Sequence, residues 1–416
     1  MKIKIDKKNG PVVFLGTMNA MPMMYALELK KQGVDVLYFV DVPVSDTLSR
    51  PENHFSEISY PYPSWIIEIN IKSQILLPIF RKKFAKSLDK KIDKLTSKPV
   101  QAYILNGFFI SLSSYLKSTS PKISLSHGSD LDTWADIDGA VNLSNSFNAN
   151  SIFKFMPKLI SKILIKKIVS RQFHGFSSSD SVIYFPKGFN SYGDRVINKL
   201  KNKKIQCFER YDISFNPLKE QSRTFKASEG KLVIFSGVRF IFDTFLEGNE
   251  QYNKGNDLII EGLAKFYKNN KNILIHFVDK GPDVDKAKAL CETMGIEEVV
   301  VWHKEMKFTE LLKIYDESHI CFDQVGKHWI GAIGGYAMWL GKPLIANDSL
   351  PVNVGFWPNN NPVCSAKTAN EVCEWLCRLQ NNEVREKISL ESKMFVEEYM
   401  GPEKLLFELF QFNGDK

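Results

Sequence analysis

A chain of 416 residues exceeds what one compact core usually holds, so two or three domains are expected. With 44% hydrophobic and 25% charged residues it is not disordered, collagen-like or of low complexity. The net charge of +8 is concentrated in Lys72 to Lys98 and Ser151 to Phe173, leaving the remainder net acidic. The six cysteines show neither CxxC spacing nor framework density, which predicts free thiols in a reducing compartment and no zinc site. Cys373 and Cys377, one helical turn apart, read as one buried helix face.

The opening MKIKIDKK followed by PVVFLG has the outline of a secretion signal, but Asn19 and Pro22 interrupt its apolar run. No stretch reaches the roughly eighteen apolar residues a membrane span needs, so a cytoplasmic location is expected. Pro11 to Gly16 has strand character, Met18 to Gln32 has helical spacing closed by Gly33, and Val36 to Val40 is again a strand. Strand, helix and strand within about thirty residues make a right-handed parallel unit. Further strands are expected at Ala102 to Leu105, Lys122 to Leu125 and Ser181 to Phe185. Pattern then fades, and a second alternating block begins at Lys231. Its strands are expected at Lys231 to Phe235, Ile273 to Val278, Val299 to Trp302, His319 to Phe322 and Pro343 to Ala346. The expected organisation is a domain at 1–205, a linker at 206–230 and a second domain at 231–395. A closing helix within 396–416 would pack on either.

Two constellations fall at strand ends, where open parallel α/β sheets bind ligands. In the first, Phe235-Ser-Gly-Val-Arg239 ends a strand and Tyr252-Asn-Lys254-Gly-Asn-Asp opens the next helix. Arg239 supplies a planar fork and Lys254 a compact point charge, the pair a diphosphate needs. In the second, Asp323-Gln324 leads into a loop with Gly331, Gly334 and Gly335, then a helix stopped by Gly341-Lys-Pro. Glycines at that helix start let backbone amides and the positive end of the helix dipole meet a phosphate.

With these motifs the chain resembles the family 4 retaining glycosyltransferases, best in a bacterial polysaccharide-type subgroup. The matching segments are Ser236-Gly-Val-Arg, Asn253-Lys-Gly-Asn-Asp, Asp279-Lys-Gly-Pro-Asp, Asp323-Gln with Gly331, and Ala337-Met-Trp-Leu-Gly-Lys-Pro. They cover Leu232 to Ala346 well, and the first two hundred residues only in architecture. The resemblance implies an α/β GT-B fold, two Rossmann-like domains facing across a cleft. It implies sugar transfer from a nucleotide diphosphate sugar as co-substrate, with no metal and no other cofactor. Arg239 and Lys254 would neutralise the diphosphate, and Trp302 to Met306, with His303 and Met306, would line the base pocket. Asp323, Gln324 and Tyr336 would complete the nucleotide and sugar site. The family's usual ribose-binding glutamate is replaced by Tyr336, and a second glutamate eight residues earlier by His328. A phenol cannot accept two hydrogen bonds from a diol as a carboxylate does, and Asp323 is the nearest remaining carboxylate.

In the first half, Ser124-Leu-Ser-His127-Gly-Ser-Asp130 follows a strand. The resemblance places a sugar-contacting histidine in such a loop, so His127 and Asp130 are the expected catalytic groups. Gly16 and Thr17, after the first strand, are expected to face the ligand. That loop lacks the GxGxxG fingerprint, so no nicotinamide cofactor is expected although Asp41 ends the second strand.

Arg81 to Lys98 and Lys158 to Arg171 combine apolar stripes with basic ridges, which suits an anionic membrane on the cytoplasmic face. Few aromatics interrupt them for base stacking, and no nucleic-acid partner is expected. The resulting expectation is a hexosyltransferase acting on a glycan or lipid-linked acceptor in surface polysaccharide biosynthesis. A catalytically inactive binding or scaffold subunit and a nucleotide-sugar epimerase of the same architecture are the alternatives.

Overall fold

The computed structural model describes the chain except residues 1, 8, 72, 118, 151–154, 211–222, 245–251, 327–329, 402 and 414–416. It divides into two compact units, Met1–Tyr211 with Pro402–Lys416, and Asp212–Gly401.

The strands, in chain order, are β1 (Ile3–Asp6), β2 (Val12–Leu15), β3 (Val36–Val40), β4 (Ile66–Glu68), β5 (Ala102–Leu105), β6 (Lys122–Leu125), β7 (Ser181–Tyr184) and β8 (Gln206–Glu209) in the first unit. The second unit holds β9 (Leu232–Ser236), β10 (Ile273–Val278), β11 (Val300–His303), β12 (Ile320–Phe322), β13 (Leu344–Ala346) and β14 (Cys364–Ser365), and β15 (Phe410–Asn413) returns to the first.

In the first unit a parallel sheet runs β4-β3-β2-β5-β6-β7-β8. Both of its faces are covered, and the period of two shows in β2. Val12 and Phe14 join one apolar cluster with Met23, Met24 and Leu27 of the helix Pro22–Lys31. Val13 and Leu15 join the opposite cluster with Ala85, Leu88 and Ile92 of the helix Arg81–Leu95. The short β1, which alternates isoleucine with Lys4 and Asp6, pairs in parallel with β15 from the far end of the chain. The stretch expected to be a linker contributes β8, the last strand of this sheet.

The second unit's parallel sheet runs β11-β10-β9-β12-β13-β14. Leu232, Ile234 and Ile275 pack under Ile259, Ile260 and Leu263 of the helix Asn256–Tyr267 and Val372 and Leu376 of the helix Ala369–Arg378. Those two helices touch at Gly262, where a Cβ would lie 2.4 Å from Val372 Cγ1. On the helix Ala369–Arg378 Cys373 is half-buried against this core but Cys377 is exposed, so the pair does not share a buried face.

In both sheets the order of strand addition reverses beside the first core strand, between β2 and β5 and between β9 and β12. Such switch points leave a crevice at the carboxyl ends of the strands. Among the described residues no helix is long and apolar enough to cross a membrane.

Candidate functional site

At the second sheet's switch point, β9 delivers Arg239 and β12 delivers Asp323. The loop carrying Arg239 is held by the Asp279-Lys-Gly-Pro-Asp segment. Phe240 N–H donates to the Lys280 carbonyl at 2.7 Å, and Gly281, at φ +122, leaves room where a Cβ would meet the Phe240 carbonyl at 2.3 Å. Asp283 is fully buried, and its Oδ2 accepts the amides of Phe242, Asp243 and Thr244 at 2.8 to 3.0 Å. Burial alone would raise its pKa, but the Thr244 hydroxyl and these amides outweigh that and hold the carboxylate low. Asp283 thus shapes the loop after Arg239. The motif marks the segment, but nothing in its spacing reveals that task.

Arg239 is exposed, with its stem over Gly281. Lys254 is half-buried, and its Nζ donates to Gln324 Oε1 at 2.9 Å. Its carbonyl receives the amides of Val325 and Gly326, both at 3.1 Å, which pins the two loops together. Gly255 (φ +69) permits this approach, since a Cβ there would lie 2.4 Å from the Gly326 nitrogen. Burial lowers the Lys254 pKa to about 8; Asp323 opposes that shift and Arg239 adds to it.

Asp323 is 2% exposed. Its Oδ2 accepts the amides of Gly331 and Gly334 at 2.7 and 2.9 Å, and Oδ1 that of Gln324 at 2.8 Å. The helix Ala332–Trp339 therefore starts on a protein carboxylate. Two amides expected to meet a phosphate, those of Gly331 and Gly334, are already engaged, and the Gly335 amide closes a helical bond to Gly331. Gly334 is required because a Cβ would sit 2.6 Å from Asp323 Oδ2. Asp323 is committed to this turn, which leaves it poorly placed to replace a ribose-binding glutamate. Burial raises its pKa, with Lys254 and the three amides opposing.

Tyr336 is 8% exposed, and its ring packs on Phe308, centroids 4.7 Å apart. This position buries an aromatic ring. His328 lies outside the described residues. His303, at the end of the edge strand β11, stacks on His276, with Nε2 2.7 Å from His276 Nδ1. Burial lowers the pKa of both. Met306 is half-buried beyond it. Neither has a described hydrogen bond or ring contact to the Lys254 cluster.

In the first unit, the loops after β2, β3, β5 and β6 surround a cavity of about 540 Å³ that includes Gly16, Thr17, Asp41, Asn106 and Asp130. Gly16 (φ +99) passes so close to β5 that a Cβ would meet the Asn106 carbonyl at 2.5 Å. Ala20, at φ 55, holds a left-handed conformation that costs a non-glycine residue roughly 1 kcal/mol or more. Asp41 Oδ1 accepts the Thr17 hydroxyl at 2.9 Å and Oδ2 the Gln74 amide at 2.5 Å. Burial raises Asp41 to about 6, with these hydrogen bonds opposing.

Asp130 does not stand free as a reacting carboxylate. Its Oδ1 accepts the Ser126 hydroxyl and the His127 amide, and Oδ2 the Gly107 amide. Through these bonds it braces the loop. Asn106 Oδ1 accepts the Met18 amide and its Nδ2 donates to the Leu125 carbonyl, which fixes the amide's orientation. The second Nδ2 hydrogen then faces His127 Nδ1, so Nδ1 accepts. Burial, then the Arg210 charge, holds His127 neutral with its pKa well below the usual range. The remaining proton is on Nε2, which has no protein partner. That nitrogen is buried, and His127 is not among the described residues lining the cavity.

Among the described residues no group of three or more metal-ligating side chains occurs. No family model matches the chain, and neither does any curated protein. Solved structures do. A glycosyltransferase from Rickettsia africae aligns over 97% of this chain and 96% of its own, at 14% identity and a TM-score of 0.57. Sucrose-phosphate synthase from Thermosynechococcus elongatus aligns over 97% of each chain at 11% identity and 0.55. A putative UDP-N-acetylglucosamine 2-epimerase from Listeria monocytogenes aligns over 95% of this chain and 93% of its own, at 10% identity and 0.52. With two parallel α/β sheets, each switching strand order at a strand-end crevice, the chain has the GT-B fold of these solved glycosyltransferase structures.

Proposed function

We propose that this chain is a retaining, metal-independent glycosyltransferase of the hexosyl type. It moves a sugar from a nucleotide diphosphate sugar to a glycan or lipid-linked acceptor in surface polysaccharide biosynthesis. The observation that carries this reading is the convergence of Arg239 and Lys254 at the second sheet's strand ends, where Lys254 Nζ meets Gln324 and its carbonyl pins the loop after Asp323. Such a pair is unfavourable in the free protein and favourable once a dianion arrives. In the reaction the anomeric C–O bond to the diphosphate breaks, a C–O bond to an acceptor hydroxyl forms, and the proton of that hydroxyl passes to the departing diphosphate. Negative charge grows on the departing diphosphate, where Arg239 and Lys254 stabilise it most. The second unit would hold the donor and the first the acceptor.

The epimerase and the non-catalytic subunit share the fold and the diphosphate grip, so products decide among the three. Incubation with a panel of UDP-, GDP- and CMP-sugars, with and without acceptor glycans, is expected to release nucleoside diphosphate and to transfer sugar only when acceptor is present. An isomerised donor without acceptor would establish the epimerase, and binding without turnover the scaffold.

The same reading includes docking on an anionic membrane. In the helix Lys158–Ser177, which carries no acidic residue, Leu159, Ile160 and Ile163 are 70%, 52% and 59% exposed between Lys158, Lys162 and Lys166. Exposed apolar side chains interleaved with lysines suit the headgroup boundary, where each cation contributes about 1 kcal/mol. The helix Arg81–Leu95 turns Ala85, Leu88 and Ile92 inward, and its outer face mixes lysines with Asp89 and Asp93, so it suits the headgroup boundary less well. Co-sedimentation is expected with phosphatidylglycerol-containing vesicles and not with pure phosphatidylcholine, weakening with salt and with Ile163→Asp. Equal binding to both vesicle types would refute the docking.

A further inference from the structure

We propose that Cys373 and Cys377 form a two-sulfur clamp for a soft cation that coordinates two thiolates in line, copper(I) being the representative ion. The clamp uses none of the residues of the diphosphate site and stands apart from the transferase reading. Both thiols are on the helix Ala369–Arg378, Cys373 half-buried against the second unit's core and Cys377 exposed.

Helical spacing sets the geometry. Residues four apart stand one turn above each other on one face, with Cβ atoms about 5–6 Å apart. A disulfide needs Cβ atoms roughly 3.5–4.5 Å apart, so closing one here would distort the turn that carries both thiols. Two metal–sulfur bonds of about 2.3 Å, laid end to end, hold the sulfurs about 4.6 Å apart, which the two side chains span without moving the backbone. The spacing fits a bridging ion and works against direct oxidation of the pair.

The ligand set fixes the class of ion. Among the described residues no third histidine, cysteine, aspartate or glutamate joins the pair, so the protein ligands of a structural zinc site are lacking. Thiolates are soft donors and select soft cations such as copper(I), which two of them satisfy. Binding replaces two S–H bonds with two sulfur–metal bonds and releases both protons to solvent, leaving a singly negative site. Lys265, on the neighbouring helix Asn256–Tyr267, donates to Asn370 Oδ1 and lies close enough to favour the Cys373 thiolate. Burial raises the Cys373 pKa most and the adjacent Cys377 thiol adds to it, so Cys373 keeps its proton at neutral pH until an ion displaces it.

The test uses the full, reduced chain under anaerobic conditions. Copper(I) is offered from its coloured bicinchoninate complex, and zinc(II) from a coloured chelator that holds it equally tightly. The wild type is expected to withdraw one equivalent of copper(I), counted by native mass spectrometry, and to leave zinc(II) with its chelator. Cys377→Ser, at an exposed position where no core packing is lost, removes one of two linked ligands and is expected to weaken copper(I) binding about a hundredfold or more. Cys373→Ser is expected to match it and Cys207→Ser to leave binding unchanged; if Cys373→Ser does not fold, Cys377→Ser decides. Copper(I) affinity in Cys377→Ser within about threefold of wild type overturns the proposal. So does zinc(II) held as tightly as copper(I) and lost in the same variant. Rapid closure of a Cys373–Cys377 disulfide by oxidised glutathione, with no change in melting temperature, also overturns it, because the geometric reason for preferring an ion would be gone.

Discussion

Replacing Lys254 with methionine is expected to stabilise the ligand-free protein and to abolish its stabilisation by nucleoside diphosphates. The Lys254 ammonium titrates at about 8, against 10.5 for an unhindered lysine, with burial the largest cause. That difference is worth about 3 kcal/mol of unfavourable folding free energy, less some screening by solvent. The sign follows from linkage. Between pH 8 and 10.5 the unfolded chain holds a proton the native site has released, so stability rises with pH across that window. Below pH 8 the full cost is present. Methionine fills similar volume without charge, losing the Gln324 hydrogen bond at about 1 kcal/mol. A net gain of about 1–2 kcal/mol at pH 7 follows, or roughly 2–8 °C in Tm for a unit of this size. The gain should vanish near pH 10.5. UDP at a hundred times its Kd should stabilise the wild type by about 2.7 kcal/mol and the variant hardly at all. Thermal melts at two pH values, with and without UDP, check all of this. A variant that is less stable when free, or that keeps its nucleotide response, would remove Lys254 from the diphosphate site.

That trade between stability and binding is why much of this site is legible in the sequence. A lysine and an arginine at the ends of neighbouring elements, beside a glycine-rich helix start, have no structural reason to converge. The strand-end rule alone brings Arg239, Lys254, Asp323 and Gln324 into one place, and the coordinates put them there. The most apolar strands are equally plain, because β5 and β10 are largely buried runs bounded by turn residues.

Other features depend on distant partners. β1 is half charged (Lys4 and Asp6) and pairs with β15 some four hundred residues later, so no local window contains its reason. β8 has only partly buried or exposed residues, and only its pairing with β7 distinguishes it from a loop. The place of Asp283 at the end of its motif says nothing of the three amides it collects. Asp41 reads in sequence only as the residue ending the second strand; the Thr17 and Gln74 donors that make it a fixed acceptor come from elsewhere in the chain. Tyr336 departs from the family pattern in sequence, but only the packing on Phe308 shows what the ring does instead.

Asp323 separates the architecture of the glycine-rich turn from its charge, and two substitutions there should give different failures. Asp323→Ala leaves the amides of Gln324, Gly331 and Gly334 without their acceptor in a buried setting. At about 1–3 kcal/mol for each unsatisfied group, partly relieved by water, a loss of about 3–5 kcal/mol is expected, with nucleotide binding lost as the turn loosens. Asp323→Asn can keep an oxygen toward Gly331 and Gly334, but its amide then faces the Gln324 N–H, at a cost of about 1–2 kcal/mol. Its electrostatic effect is more telling. Asp323 raises the Lys254 pKa, so removing its charge lowers that pKa below about 8. The lysine then loses its proton at lower pH, and UDP affinity should begin to fall earlier as pH rises. Calorimetric Kd values for UDP between pH 6 and 9 are expected to diverge between wild type and Asp323→Asn toward the alkaline end and to converge toward the acidic end. Parallel profiles would mean that Asp323 serves the turn alone, and that the charge of Lys254 is set by burial and Arg239 without it.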